Sequence, residues 1–147
     1  MKKLLLVFFG IILLTGCSSR NVMKCSYKAK EDDRTIDLSY KIKHKGSKVV
    51  SVKSVEKVTS NDQSIIDSYK DDVESFYEPF KYIDNYNYKI KSNNKSITVT
   101  TSIDYSKIDL SEMIMIDPDI EQLMDDGYID IDQMKISYEN LGLECKK

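Results

Sequence analysis

The chain has 147 residues, 41% of them hydrophobic and 31% charged, with 22 lysines and arginines against 24 aspartates and glutamates. This length predicts one domain, and the apolar and aromatic content excludes an intrinsically disordered chain. The net charge of −2 gives no basic field for nucleic acid, and a single histidine excludes a histidine-rich metal site.

The N-terminal segment has the pattern of an export signal. Two lysines precede an apolar run over residues 4–14, which is too short for an ordinary membrane span. The run ends in Leu14-Thr15-Gly16-Cys17, which resembles the lipobox of bacterial lipoproteins. The resemblance implies cleavage after Gly16, a diacylglyceryl group on the Cys17 sulfur, and a short tether over residues 17–24. The alternatives are an uncleaved anchor and an ordinary signal peptide with a chance cysteine.

Export of this kind predicts where the protein is held. Removal of the signal peptide, residues 1–16, would leave 131 residues, with 20 basic against 24 acidic side chains. We expect the protein on the extracytoplasmic face of the cell membrane, anchored through its N-terminal lipid. Lysine outnumbers arginine 20 to 2, which is typical of an AT-rich genome and, with the lipobox, favours a low-GC Gram-positive bacterium.

Two further cysteines, Cys25 and Cys145, stand near the two ends of the remaining chain. Disulfides persist in an exported compartment, so we predict a disulfide that joins the first strand to the C-terminus. The alternative is a pair of buried or free thiols. A zinc site lacks the required ligands, and a redox pair would need a Cys-x-x-Cys motif.

The first half of this segment predicts three strands and a helix. A strand begins at Cys25, a second alternates with period 2 over residues 36–43, and a loop with Gly46 leads to a third over residues 49–58. The apolar phase of the third strand shifts within it, which predicts a bulge or an edge strand. Apolar residues then recur at helical spacing over residues 65–80. Their features for starting and ending a helix are a Ser60/Gln63 capping box and Pro79.

The second half predicts two strands and short helices. Alternation around Tyr86 and Tyr88 and again from Ile97 to Tyr105 gives two strands joined by an asparagine-rich turn. Four features then mark the starts and ends of the C-terminal helices. They are Asp109 with Glu112, Asp117-Pro118 with a stop at Gly127, Asp130 with Gln133, and Gly142-Leu143.

These elements predict one domain over residues 25–147 in the order β-β-β-α-β-β-α-α. Strands joined by short turns pair antiparallel, and helices segregated along the chain indicate an α+β fold. We expect an antiparallel sheet of about five strands, with the central amphipathic helix packed on one face.

The layout resembles a known family. The lipobox, the stretch Asp104-Tyr105 to Asp109-Leu110 and the helix end Gly142-Leu143 are similar to the YehR-like small bacterial lipoproteins. The resemblance covers most of residues 25–147. It implies an α+β fold and an envelope location. The family has no known function, so the resemblance supplies no catalytic residues.

Two groups of residues are candidates for catalysis or metal binding. His44 lies in a lysine-rich hairpin loop without an evident partner, so we interpret it as a solvated turn residue rather than a general base. The acidic segment from Asp117 to Asp132 fails the EF-hand pattern, because glycine is absent from its sixth position. Several of its acids fit helix caps instead, so we expect a solvated acidic face and no metal.

Two further groups are candidates for binding a ligand or an anionic surface. The tyrosines Tyr82, Tyr86 and Tyr88, with lysines beside them, are either core residues or a ligand surface; the core interpretation is favoured. The four lysines Lys41, Lys43, Lys45 and Lys48 form either a solvated face or a contact for anionic wall polymer or lipid headgroups.

The sequence favours a non-enzymatic envelope lipoprotein that interacts with a protein or cell-wall component. No nucleophile and base at catalytic spacing, no phosphate loop and no cofactor motif stand in the sequence. The alternative is a ligand-binding lipoprotein with a pocket between helix and sheet, which would show as an apolar cleft with converging polar groups.

Overall fold

The computed structural model describes residues 21–147. The predicted signal peptide, the Gly16 cleavage point and Cys17 lie outside the described residues. The strands are β1 Asn21–Lys30, β2 Arg34–Lys45, β3 Lys48–Ser60, β4 Tyr86–Asn93, β5 Ser96–Asp104, β6 Met124–Asp125, β7 Tyr128–Ile129 and β8 Glu144–Lys146. The helices are α1 Gln63–Tyr77, α2 Leu110–Ile116 and α3 Ile131–Asn140, with 3₁₀ turns at Glu78–Tyr82 and Pro118–Leu123. Among these helices, none is long and apolar enough to cross a membrane.

The main sheet has six antiparallel strands in the order β4-β5-β3-β2-β1-β8. The predicted α+β class and the predicted order β-β-β-α-β-β-α-α are confirmed, with 3₁₀ turns and short strands added in the C-terminal part. The sixth strand is the short β8, which pairs with β1 so that Cys25 and Cys145 are direct neighbours. These two cysteines form the predicted disulfide. Strand β1 begins at Asn21, so residues 21–24 of the predicted tether belong to the sheet.

Strand β3 is central in the sheet, between β2 and β5, so the edge-strand alternative is wrong. The bulge alternative agrees better with the structure, but the irregularity lies at the start of β3 rather than within it. The register with β2 shifts between Lys43 and His44, where His44 pairs with Val49 and Lys43 with Ser51. Beyond this bulge the inward residues of β3 include polar ones, which is why the apolar alternation looked broken.

Helix α1 lies across one face of the sheet, against β3, β4 and β5. Its N-cap is Asp62, whose carboxylate accepts from the Ser64 backbone at 2.9 Å, so the predicted Ser60 capping box is wrong. The Ser60 hydroxyl instead donates to the Asp33 carbonyl and accepts from the Asp62 backbone. Pro79 ends the α-helix as predicted, because the chain tightens into a 3₁₀ turn there.

The C-terminal segment departs most from the prediction. Gly127 does not stop a helix; with Asp126 it forms a two-residue turn of positive φ between β6 and β7. The predicted caps at Asp109, Asp117 and Asp130 are confirmed, each accepting a backbone N–H two residues on. The predicted end of α3 is also confirmed. Leu143 and Gly142 donate to the carbonyls of Tyr138 and Glu139, and Gly142 has a φ of +89°.

The core fills the space between the inner face of the sheet and the helices. We call the helix-covered face the inner face and the opposite one the outer face. The largest fully buried side chains are Met23, Ile42, Ile66, Ile97, Ile129, Ile131 and Met134. They come from strands and helices of both halves of the chain, so residues 21–147 share one core.

Candidate functional site

An apolar cleft opens on the inner face, between α1, the end of α3 and the strands β2, β3 and β5. Its volume is about 400 Å³, within the range of small-molecule sites. Its aliphatic wall consists of Ile36, Leu38, Val58, Val73, Ile97, Val99, Leu141 and Leu143. Its remaining lining is four tyrosines and one carboxylate, which are Tyr27, Tyr40, Tyr69, Tyr138 and Glu56.

Glu56 stands in the cleft because of the period of β3. Val52 and Val58 on this strand are buried, and Glu56 has the same parity, so its side chain lies on the inner face. Its backbone pairs with Leu38 of β2 and Val99 of β5, both in the cleft wall. An acidic side chain is thus half-buried among aliphatic groups.

Two tyrosine hydroxyls hold the Glu56 carboxylate on one side. Tyr40 donates to Glu56 Oε1 at 2.9 Å, and Tyr77 donates to the same oxygen at 3.4 Å. Residues 21–147 supply no hydrogen bond to Oε2. Oε2 is not a buried atom, so it is open to solvent or to a hydrogen-bond donor on a ligand.

Three of the tyrosines in and beside the cleft have a raised pKa. Burial, followed by the charge of Glu56, raises the pKa of Tyr40 and Tyr77 well above the ordinary value. Burial likewise raises the pKa of Tyr138, whose ring lies 4.8 Å from that of Tyr40. These phenols therefore act as hydrogen-bond donors and aromatic walls at neutral pH.

The cleft lining contains no lysine or arginine. Arg34 lies near its rim, 6.0 Å from the centre of the Tyr69 ring, but its guanidinium is bonded to Glu31 at 2.6 Å. A larger depression of about 540 Å³ at the β1–β2 turn is lined by acids and bases alike. The cleft at Glu56 instead has a single sign of charge and a largely apolar wall.

The structure does not bring the candidate residues of the sequence together into one site. His44 is buried, with 5% of its surface exposed, so its interpretation as a solvated turn residue is wrong. Its Nδ1 donates to the Gly46 carbonyl at 2.7 Å, and its Nε2 has no partner within residues 21–147. His44 has the same parity on β2 as the buried Ile42, so its side chain lies on the inner face.

The tyrosine and acidic groups also have defined roles. Tyr86 stacks on Phe80 and Tyr88 on Tyr77, so the core interpretation is confirmed for both. It is wrong for Tyr82, which is 76% exposed. Within the described part of the chain, no three histidine, cysteine or acidic side chains are grouped for a metal, the acidic segment included.

Glu56 was missed because the apolar phase of its strand shifts between Val52 and Val55, which left the inward parity open. A signal was present in the sequence. Glu56 is an even number of residues from the apolar Val52 and Val58, so in a strand all three side chains lie on the same face. Only the position of the bulge, which the sequence leaves open, shows that this parity is the inner one.

Comparison with known proteins places the fold. The sequence matches no family model and no curated protein. Among solved structures, the NMR structure of Escherichia coli YehR gives a TM-score of 0.58 at 18% identity, covering 87% of this chain and 93% of that one. The domain has the YehR fold. An NMR structure of a protein from Streptococcus pneumoniae TIGR4 gives 0.57 at 14% identity, covering 99% and 96%. The predicted resemblance to YehR is thus confirmed as a likeness of fold.

Proposed function

We propose that the protein is a lipid-anchored, non-enzymatic binding module of the bacterial envelope, and that the cleft at Glu56 is its ligand site. The anchor is supported by the export pattern and by Leu14-Thr15-Gly16-Cys17. The ligand site is supported by one observation above the others: a carboxylate half-buried in an apolar, tyrosine-lined cleft between helix and sheet.

The lining indicates the class of ligand. The aliphatic wall favours an apolar body. The carboxylate and the tyrosine faces favour a cationic head, because aromatic faces attract cations and a buried carboxylate needs a counter-charge. An anionic ligand would meet Glu56 without any compensating cation in the lining. We therefore propose an amphipathic amine as the ligand class.

The same groups argue for binding rather than catalysis. Beside Glu56, burial raises the pKa of Tyr40, Tyr77 and Tyr138, so these three phenols are held in the donor form. A general base would need a positioned nucleophile or acid beside it. Glu56 instead has two phenol donors on one oxygen and room for a ligand at the other.

The ligand site is tested with n-octylamine as the probe and n-octanol and n-octanoate as its neutral and anionic matches. Calorimetric titration of the protein should show the amine binding more tightly than either. Glu56→Gln keeps an acceptor for Tyr40 but removes the charge, and should weaken octylamine binding by roughly 10- to 100-fold while leaving octanol unchanged. The matched control is Glu74→Gln, an exposed carboxylate on α1. Octanoate binding as tight as octylamine, or an unaffected Glu56→Gln, would refute the site.

The anchor is tested separately in cells. Metabolic labelling with a palmitate analogue should mark the wild-type chain, and Cys17→Ala should lose the label and leave the membrane fraction. Equal labelling of both forms would contradict the anchor without affecting the ligand site.

A further inference from the structure

The outer face of the sheet carries a row of lysines across four neighbouring strands. Lys146 of β8 pairs with Lys24 of β1, Lys24 with Lys41 of β2, and Lys41 with Lys53 of β3. We call these four residues the lysine row. Like charges directly opposite one another destabilise a sheet. Three consecutive lysine pairs therefore lower the stability of the sheet. An anion bound to the row would offset this repulsion.

The carboxylates on the outer face neutralise one member of the row, Lys146, and leave the other three unpaired in the described part of the chain. Asp37 pairs with Lys28 at 3.5 Å, Asp104 with Lys107 at 3.6 Å, and Glu144 with Lys146 at 3.8 Å. Lys24, Lys41 and Lys53 form no ion pair with any of residues 21–147. Further exposed lysines without such a partner extend the positive field along β3 and β4; they are Lys57, Lys89 and Lys91.

The face is open and shaped for contact. Lys24, Lys41 and Lys53 line a shallow groove of about 380 Å³ together with Ser26, Ser39 and Val55. Val55 at its centre is 42% exposed, so nothing in residues 21–147 covers it. The groove combines ammonium groups with hydroxyl donors, and this is the chemistry that binds phosphate oxygens. The net charge of the whole chain is −2, so this basic face is a local feature.

We propose that the outer face is a docking surface for an anionic phospholipid bilayer. Lys24 is seven positions after Cys17, a reach of at most about 25 Å. A lipid on Cys17 would thus hold the lysine row close to the headgroups, and each lysine near an anionic surface adds to binding. The proximity of the bilayer rests on the anchor proposed above, whereas the charge pattern does not.

Docking by this face would turn the cleft away from the membrane. The sheet lies between its outer face and the cleft, so the ligand site would open toward the cell wall. A module held in this way would collect its amphipathic amine from the wall side.

The experiment uses residues 21–147, which contain the whole sheet, its core and its disulfide, so no lipid contributes. Co-sedimentation with equimolar phosphatidylglycerol and phosphatidylcholine vesicles should show binding that about 0.5 M salt abolishes, because screening at that concentration is strong. Pure phosphatidylcholine vesicles should not bind. The triple variant K24Q/K41Q/K53Q should lower the partition coefficient on the order of a hundredfold.

The matched control is K70Q/K81Q/K135Q, which makes the same change of net charge on the helical side of the molecule. It should keep vesicle binding within a few-fold. Circular dichroism should show both triples folded, since K24Q/K41Q/K53Q relieves repulsion. The docking proposal is overturned if the two triple variants lose vesicle binding equally. It is also overturned if the protein binds anionic and neutral vesicles equally well.

A third arm uses soluble polyphosphate. Binding of polyphosphate with the same lysine dependence, but no binding of phosphatidylglycerol vesicles, would overturn the membrane in favour of an anionic polymer. The arms are independent of the ligand site, because Glu56→Gln should leave vesicle binding unchanged. They are also independent of Cys17, which the tested segment lacks.

Discussion

Glu56 is the residue at which the inner face of the sheet changes from sealed core to open cleft. Two positions earlier, the Ser54 hydroxyl bonds to Thr101 across β3 and β5 at 2.6 Å and is buried. Glu56 has the Tyr40 and Tyr77 hydroxyls on one oxygen only. Satisfied polar pairs are compatible with a packed core, whereas the open oxygen of Glu56 is what supports the ligand site proposed above.

The buried phenols predict an alkaline loss of stability. Burial raises the pKa of Tyr40, Tyr77 and Tyr138 in the folded state, so the folded protein holds protons that the unfolded chain releases near pH 10. Their contribution is complete below pH 10 and is lost as the pH rises above it, by up to about 1.4 kcal/mol per pH unit for each phenol. Urea unfolding from pH 8 to 11 measures this slope.

The phenol responsible can be assigned with two variants. Tyr40→Phe should make the alkaline slope shallower by about one phenol's share. Tyr82→Phe, at a side chain 76% exposed, should leave it unchanged. A slope that is the same in all three proteins would show that other groups control alkaline unfolding.

Among the elements, α3 depends most visibly on one cap. The Asp130 carboxylate accepts from the backbones of Asp132 at 2.8 Å and Gln133 at 3.0 Å, and Asp130 is 8% exposed. Its backbone also donates to the Leu123 carbonyl at 2.8 Å, which joins α3 to the preceding turn. Asp130 therefore fixes the start of the helix through its side chain and links the helix to the preceding turn through its backbone.

Asp130→Ala should lower the free energy of unfolding by about 1–2 kcal/mol, since it removes both cap bonds. Asp130→Asn can still accept these bonds and should cost less. Thermal unfolding of the two variants beside the wild type measures the difference. Equal losses in both would mean that the charge of Asp130, rather than its cap geometry, stabilises α3.

Elements with a strong local pattern were predictable from the sequence. Ile36, Leu38 and Ile42 alternate without interruption, and Asp130 with Gln133 marks a helix start whatever surrounds it. Strand β8 was not predictable, because three residues are too few for a period and only pairing with β1 makes them a strand. A pocket between helix and sheet was the alternative prediction, but its lining was not predictable, because Glu56 of β3 and Tyr138 of α3 meet only through tertiary packing.

At the scale of the whole molecule, the disulfide closes nearly the entire domain into one loop. Cys25 and Cys145 are 120 residues apart in sequence. In the chain-entropy relation, a loop of this length corresponds to about 5 kcal/mol of stabilisation through the unfolded state. The sequence predicted this pairing from the compartment and the positions of the cysteines, without knowledge of β8.

The double variant Cys25→Ser/Cys145→Ser should therefore lower the free energy of unfolding by up to about 5 kcal/mol. Urea unfolding of the wild type with and without reductant gives the same comparison on the natural chain. Hydrogen exchange should show β8 opening first in the variant, because only three residue pairs hold it to β1. An unchanged unfolding midpoint would show that the cross-link contributes nothing to stability.

The same bond determines how the molecule carries a mechanical load. Tension applied between a lipid-held Cys17 and the C-terminal Lys147 would run from Cys25 through the sulfur bridge to Cys145. Residues 26–144, with α1, α3 and the cleft, lie outside that covalent path and would bear none of the pull. A partner that pulls on Lys147 would move the whole domain along the membrane without stretching residues 26–144. This would hold until a reductant opens the disulfide.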